Sequence, residues 1–330
     1  MTTTLLGKQI GSTGYGLMGL TWRPTPQSEE KSFEAMRASL EAGCNFWNAG
    51  EFYGTPENNS LTLLEKYFAK YPEDAEKVVL SVKGAVSMQT GPNGSKEYVQ
   101  ASIDNCLRML KGRKSIDIFE CARVDPKTPI ETTMKALEEY VQAGKIGGIA
   151  LSEVGAKTVQ RAVKVTKIVA VEVEVSLWSM DVFENGVAKA CAEHNIPIVA
   201  YSPLGRGMLT GEIKSPSDIP EGDMRKTMPR FLPENFNVNI KLVEEIKSLA
   251  ETKGCTPGQL AISYVKQLSK RPGNPEFIPI PGATSPSRVK ENGKNVELST
   301  EEVSAIDSIL SNFKTKGGRY HEAHSGLLEG

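Results

Sequence analysis

The sequence predicts an α/β protein built as a closed (β/α)8 barrel, the TIM-barrel architecture, over residues 1–330 as a single domain. Three observations predict it. Eight short β-branched or apolar runs are spread along the chain, amphipathic stretches of helical period separate them, and no GxGxxG follows the first run to suggest a doubly wound dinucleotide-binding sheet. The runs lie at 14–18, 44–48, 78–83, 116–120, 146–152, 169–175, 196–202 and 277–282.

Taken in order, the opening TTLLGKQIGS predicts a hairpin within residues 1–12 that closes the barrel floor, with Leu5, Leu6 and Ile10 apolar around a Gly-Lys turn. Between runs, EEKSFEAMRASLEAG (29–43) carries Phe33, Met36 and Leu40 at near-helical spacing, and IETTMKALEEYVQAGK (130–145) repeats the pattern. Gly43 and Gly144 sit where glycines end helices. After the seventh run, the interval from Gly205 to about Phe277 is rich in Pro and Gly and then helical; a loop that long in a compact domain is expected to be functional. Residues 314–330 form a polar tail.

Composition narrows the class of function. With 39 basic against 40 acidic residues the formal net charge is -1, so nothing favours a polyanionic partner such as nucleic acid. Five cysteines (Cys44, Cys106, Cys121, Cys191, Cys255) are scattered without a CxxC pair, which fits a reducing compartment better than a disulfide framework. The N-terminus lacks the pattern of a signal peptide, and no apolar stretch nears the ~18 residues a membrane span needs. A cytoplasmic location, open to the nucleus by diffusion, and no membrane partner are expected. Two of three histidines, His321 and His324, fall in the tail, which disfavours histidine-based metal or triad chemistry.

In such a barrel the chemistry belongs to the carboxyl ends of the strands. After the second run, NAGEFYG places Asn48 at a strand end and Tyr53 five residues on, and Lys83 ends the third run. An ammonium near a tyrosine lowers the phenol pKa and makes an acid-base pair. The plainer reading, a loop aromatic beside a solvated strand end, weighs more on spacing alone. AYSPLGRGMLTG (200–211) is a Gly-rich loop whose amides suit a phosphate, and IPIPGATSPSRVKEN (278–292) offers Gly282, Thr284, Ser285 and Arg288 at a helix start, which also reads as an ordinary cap cluster.

Together these segments resemble the aldo-keto reductases. FWNAGEFYG is similar to the family's motif around the catalytic tyrosine and VVLSVKG to its lysine strand. IGGIALSEV, VEVSLW, AYSPLGRGMLTG and IPIPGATSPSRVKEN resemble its later motifs, in the same order. Within the family, DIFECARVDP is most similar to the fungal pyridoxal reductases. The resemblance implies that NADPH reduces a carbonyl, with Tyr53 as general acid tuned by Lys83 and Asn48 beside them. It implies that Ser152 and Glu172 hold the nicotinamide carboxamide, that Tyr201 stacks on the ring, and that Ser202, Leu204, Gly205 and Arg206 line the pyrophosphate. Gly282, Thr284, Ser285 and Arg288 then face the 2′-phosphate side, and Glu291 and Asn292 the adenine. Arg288 suits NADP better than NAD, because a guanidinium matches a phosphate.

Three departures stand out: the family's usual aspartate is Asn48, its histidine is Ala122 and its carboxamide glutamine is Glu172. An uncharged Asn48 is expected to push the Lys83 pKa down. By strand parity Glu120 shares a face with Ala122 one layer deeper, so it could pair with Lys83, or simply be satisfied on the barrel floor. Glu174 has the parity of Glu172, with Lys83 as one available cation. Trp22, Phe52, Ala122 and Arg123 are expected around the substrate, although Trp22, Phe52, Trp178 and Met180 also read as plain loop packing.

The leading expectation is reduction of pyridoxal to pyridoxine by a monomer or weak homo-oligomer, without a metal. A cofactor-binding redox-sensing subunit and a broad-range aldehyde reductase are the alternatives; retention of Tyr53 and Lys83 weighs against the sensor.

Overall fold

The structure, a computed structural model, describes residues 3–321, 326–328 and 330. His324 therefore lies outside the described residues. The strands in chain order are β1 (Thr3–Leu5), β2 (Lys8–Ile10), β3 (Tyr15–Gly16), β4 (Phe46–Gly50), β5 (Val79–Gly84), β6 (Val86–Ser87), β7 (Gly91–Pro92), β8 (Ile116–Cys121), β9 (Ile146–Ser152), β10 (Ile168–Glu174), β11 (Ile198–Tyr201) and β12 (Phe277–Pro279). The helices are α1 (Met18–Thr21), α2 (Glu29–Glu41), α3 (Ser60–Lys70), α4 (Lys96–Leu110), α5 (Ile130–Gln142), α6 (Ala156–Ala162), α7 (Val187–Glu193), α8 (Pro233–Lys253), α9 (Pro257–Gln267), α10 (Pro286–Gly293) and α11 (Thr300–Asn312).

Eight parallel strands form one sheet in the order β3, β4, β5, β8, β9, β10, β11, β12. A parallel bridge between Gly16 and Gly282 closes it into a barrel. The first and last strands are the shortest of the eight, and the chain is close-packed where they meet: a Cβ on Gly14 would lie 2.9 Å from the Ile280 side chain, and one on Gly16 2.9 Å from the Ile280 oxygen. Gly14, Gly16 and Gly19 do have the GxGxxG spacing, but Gly14 and Gly16 flank and end β3, where their amides donate to the Pro279 and Pro281 carbonyls across the seam, and Gly19 lies in α1.

Side chains alternate inward and outward along each strand, so the barrel interior is layered. The lowest layer is apolar, with Phe46, Val79, Ile118, Ala150, Ala170, Val199 and Ile278 packed against Leu5 and Ile10 of the N-terminal hairpin. That hairpin covers the floor as expected, although its turn is Leu6-Gly7 rather than Gly-Lys, both residues having positive φ (53° and 74°). Two residues higher on the same strands stand Asn48, Ser81, Glu120, Ser152 and Glu172, and Lys83 follows on β5. Outward-facing Trp47, Leu80, Val82 and Phe119 pack under the helices.

The helices begin and end where side-chain caps and left-handed glycines allow. The Ser28 side chain accepts a hydrogen bond from the Lys31 amide at the start of α2, and Gly43 follows that helix with φ 75°. α5 is followed in the same way by Gly144, φ 68°. The long interval after β11 holds four 3-10 turns before α8, and the short β6–β7 ribbon has no counterpart among the eight expected runs.

Candidate active site

The polar layer above the apolar floor brings four strands together. Lys83 Nζ lies 3.0 Å from Asn48 Oδ1 and 3.3 Å from Glu120 Oε1, and donates to Glu172 Oε1. Asn48 Nδ2 donates to Glu172 Oε2 at 2.7 Å and to Glu120 Oε1 at 3.4 Å. All four side chains are buried, with Lys83 at 4% and Glu120 at 1% exposure. The strand register makes this contact: Lys83 is the partner of Glu120 across β5 and β8.

The electrostatics correct two expectations. Burial alone would lower the Lys83 pKa, but Glu120 and Glu172 together pull it above its ordinary value, so replacing the family aspartate by Asn48 does not leave the lysine short of negative charge. For Tyr53 burial dominates and pushes the phenol up to about 12, with Lys83 pulling it only partly back. Burial and Glu120 push the Glu172 carboxyl up to about 8 against the pull of Lys83.

Tyr53 stands in the loop after β4, 8% exposed, its backbone oxygen accepting a hydrogen bond from Thr21 Oγ1 at 2.7 Å. Its ring lies over Gly50, where a Cβ would sit 2.9 Å from the ring. Trp22 and Phe52 flank it, their ring centroids 5.8 and 4.9 Å from that of Tyr53. Ala122 is buried nearby in sequence terms after β8 and supplies no side-chain donor; Arg123 donates instead to the Ala122 carbonyl and to the Tyr320 hydroxyl.

A second charged cluster sits at the mouth, and much of it was not legible in the motifs. Tyr201 donates its hydroxyl to Glu153 Oε1 at 2.7 Å, and Arg319 Nη1 lies 3.0 Å from the same oxygen. Glu174 takes Arg206 at 3.0 Å and Arg230 at 3.6 Å, so its cations are these two arginines rather than Lys83. Tyr320 completes the cluster, 3.1 Å from the Tyr201 hydroxyl and beneath the Arg206 guanidinium, 4.7 Å away. The tail thus folds back onto the strand ends. Its only sequence signal is an Arg-Tyr pair after two glycines in an otherwise polar segment. The Arg206 side chain is committed to Glu174 and Tyr320, and the loop is closed on itself by the Gly205 and Gly207 amides, which donate to the Ser202 and Leu204 carbonyls.

In that loop Ser202, Gly205, Arg206 and Gly207 all have positive φ (51°, 55°, 57° and 96°), and Leu204 is buried between them. Across the groove, Gly282 bridges to Gly16, and Thr284 precedes Ser285, whose side chain caps α10. Arg288 pairs with Glu291 at 2.8 Å and with Glu212 from the loop after β11. Glu291 also accepts from Thr256 at 2.7 Å. Trp178 is buried against Phe231, so it packs rather than walls a substrate.

Several buried polar atoms here have no hydrogen-bond partner. They include Ser152 Oγ and both polar atoms of the Asn292 side chain. Buried polar groups are ordinarily paired, so these atoms are available to a polar ligand group.

Residues 13–311 match the Aldo/keto reductase family. The chain belongs to this family. As an aldo/keto reductase it is an oxidoreductase, of a family that works with nicotinamide cofactors. It is 40% identical to the probable pyridoxal reductase 2 of Schizosaccharomyces pombe over 330 residues, covering 98% of each chain. It is 41% identical to the putative pyridoxal reductase of Saccharomyces cerevisiae, covering 94% of this chain and 96% of that one. An S. pombe aldo-keto reductase whose name carries NADP(+) is 37% identical over 94% of this chain and 92% of its own. The fold of this reductase superposes on the glycerol dehydrogenase of Gluconobacter oxydans with TM-score 0.82 at 21% identity, over 94% and 95% of the two chains. Among the described residues no helix is long and apolar enough to cross a membrane.

Proposed function

We propose that this reductase uses NADPH to reduce an aldehyde to an alcohol, most concretely pyridoxal to pyridoxine. The observation that carries the reading is Tyr53 at the mouth, acted on electrostatically by a buried, charge-paired Lys83. The two relatives named as pyridoxal reductases, matched over nearly the whole chain, support the choice of substrate.

NADPH, when bound, supplies the hydride. In this reading Ser152 and Glu172 hold the carboxamide and the Tyr201 ring lies against the nicotinamide. The backbone of Ser202, Leu204, Gly205 and Arg206 holds the pyrophosphate. Gly282, Thr284, Ser285 and Arg288 receive the 2′-phosphate, for which Arg288 exchanges Glu212, and Glu291 and Asn292 meet the adenine. A phenol with its pKa near 12 is fully protonated at neutral pH, so Tyr53 is in the acid form the reduction requires. Its hydroxyl gives a proton to the developing alkoxide, and Lys83 stabilises the phenolate that remains. Trp22 and Phe52 wall the substrate ring, while Ala122 leaves room for an aldehyde bearing polar groups and Arg123 faces them. The reading takes the chain as one domain, residues 1–330, acting in the cytoplasm as a monomer or weak homo-oligomer.

The test is NADPH oxidation by the purified protein with pyridoxal, beside a panel of aliphatic and aromatic aldehydes, with NADH as the cofactor control. Preference for pyridoxal and NADPH is expected. Turnover of the panel without pyridoxal would make it a general aldehyde reductase. Tight NADPH binding with no turnover of any carbonyl would overturn the enzymatic reading in favour of a redox-sensing subunit.

A further inference from the structure

The buried layer around Lys83 does not balance its charge if every group is ionised. Glu120 and Glu172 bring two negative charges to one ammonium, in a place where an uncompensated charge costs several kcal/mol. The other neighbours supply no cation: Asn48 and Ser81 are neutral donors to the same carboxyls. Tyr53 is a neutral phenol, and Arg123, the next cation, donates to the Ala122 carbonyl and the Tyr320 hydroxyl. The remaining acidic side chains on these strands are provided for elsewhere. Glu174 has Arg206 and Arg230, Glu153 has Arg319, and Asp117 at the floor has Lys8 and Lys114.

Hydrogen bonding points the same way. Three of the pair's four carboxyl oxygens accept from Lys83, Asn48 or Ser81, and Glu120 Oε2 is buried with no partner at all. The two carboxyls are held on the same two donors, Asn48 Nδ2 and Lys83 Nζ each reaching both, and two acids gathered this closely on one cation are the arrangement that holds one proton between them.

We propose that Glu120 and Glu172 share a single proton, so that the cluster with Lys83 is neutral, and that the pair acts as a positioning element that sets the acidity of Tyr53 through Lys83. With the proton in place, Lys83 divides its charge between one carboxylate and Tyr53. When the pair loses its proton, two carboxylates hold Lys83 and raise the cost of forming a phenolate, so Tyr53 becomes a weaker acid. The proton passes from the carboxyl pair to solvent base in that step, and no other bond changes. The role of Tyr53 as acid rests on the function proposed above; the shared proton does not.

Difference infrared spectroscopy of the protein without substrate tests the proton directly, through the carbonyl stretch of a protonated carboxyl. The band is expected near pH 6, lost on titration to about pH 10, and absent from both Glu120→Gln and Glu172→Gln. A wild-type protein with no such band near pH 6, or a band that survives in either variant, overturns the proposal; the wild-type titration needs no variant to fold. In the second arm, the alkaline limb of kcat/KM for NADPH-dependent reduction should move up by about one pH unit or more in Glu120→Gln. An unmoved limb overturns the role through Lys83. Because the infrared arm uses no aldehyde, failure of the pyridoxal reading and failure of the shared proton are separate results.

Discussion

Two clusters of buried carboxylates occupy this barrel a few residues apart, and they are neutralised differently. At the mouth, Glu174 and Glu153 each have their own guanidinium, supplied by the loop after β11, by Arg230 and by the tail. One layer down, Glu120 and Glu172 share one lysine and one asparagine. The first is an ordinary structural solution to buried charge. The second sets two carboxyls against one cation, the imbalance that the proposed shared proton removes, and the groups around it are the perturbed ones from which a candidate site is read. The barrel thus places its shared cation under the site and its dedicated cations around the rim.

The contrast breaks most visibly at Lys83. Lys83→Met removes the cation from two buried carboxylates and is expected to cost about 3–5 kcal/mol of stability at alkaline pH, measured by denaturant titration. The loss should shrink near pH 5, where the carboxyls take up protons. At the mouth the converse operation, removal of the anion from between its cations, should cost less. Glu174→Gln keeps the shape and one accepting oxygen, which serves Ser179 and Arg230 while the amide NH2 turns to Arg206, and about 1–3 kcal/mol is expected from the same titration.

The pH dependence of stability sharpens the comparison further. The Glu172 carboxyl is raised from 4.5 to about 8 in the folded protein, so its protonated form is favoured by folding. That contribution is complete below the unfolded pKa and is lost as pH rises through about 8. Denaturation midpoints should fall between about pH 5 and pH 9, and Glu172→Gln should flatten this part of the profile. The smallest effect belongs to the tail. Tyr320→Phe removes the contacts with the Tyr201 hydroxyl and Arg123 but keeps a ring beneath Arg206, and should cost about 0.5–1.5 kcal/mol, read as a small fall in midpoint.

What the sequence disclosed follows the same division. The eight strands were readable because each is a short apolar run between amphipathic helices, and parity along 116–120 turned Glu120 inward but left Lys83 and the barrel floor both open as its partner, between which the register of β5 and β8 decides for Lys83. The direction of the Tyr53 shift was not readable. Proximity of a lysine argues for a lower pKa, whereas the outcome depends on how completely the fold removes the phenol from water, and burial prevails. The rim was hidden for another reason. Arg319 meets Glu153 across a sequence separation of 166, and no local pattern encodes a tail folding back onto strand ends. Arg206 shows the limit of a motif: its position in the loop is as expected, yet its side chain faces Glu174.

The central claim is that Tyr53 gives up the proton in an NADPH-dependent reduction. The most direct measurement is steady-state NADPH oxidation by Tyr53→Phe, paired with NADPH binding followed by quenching of protein fluorescence. The account predicts a loss of about 10²–10⁴-fold in kcat with cofactor affinity unchanged within about twofold. Turnover equal to that of the unaltered protein would contradict it.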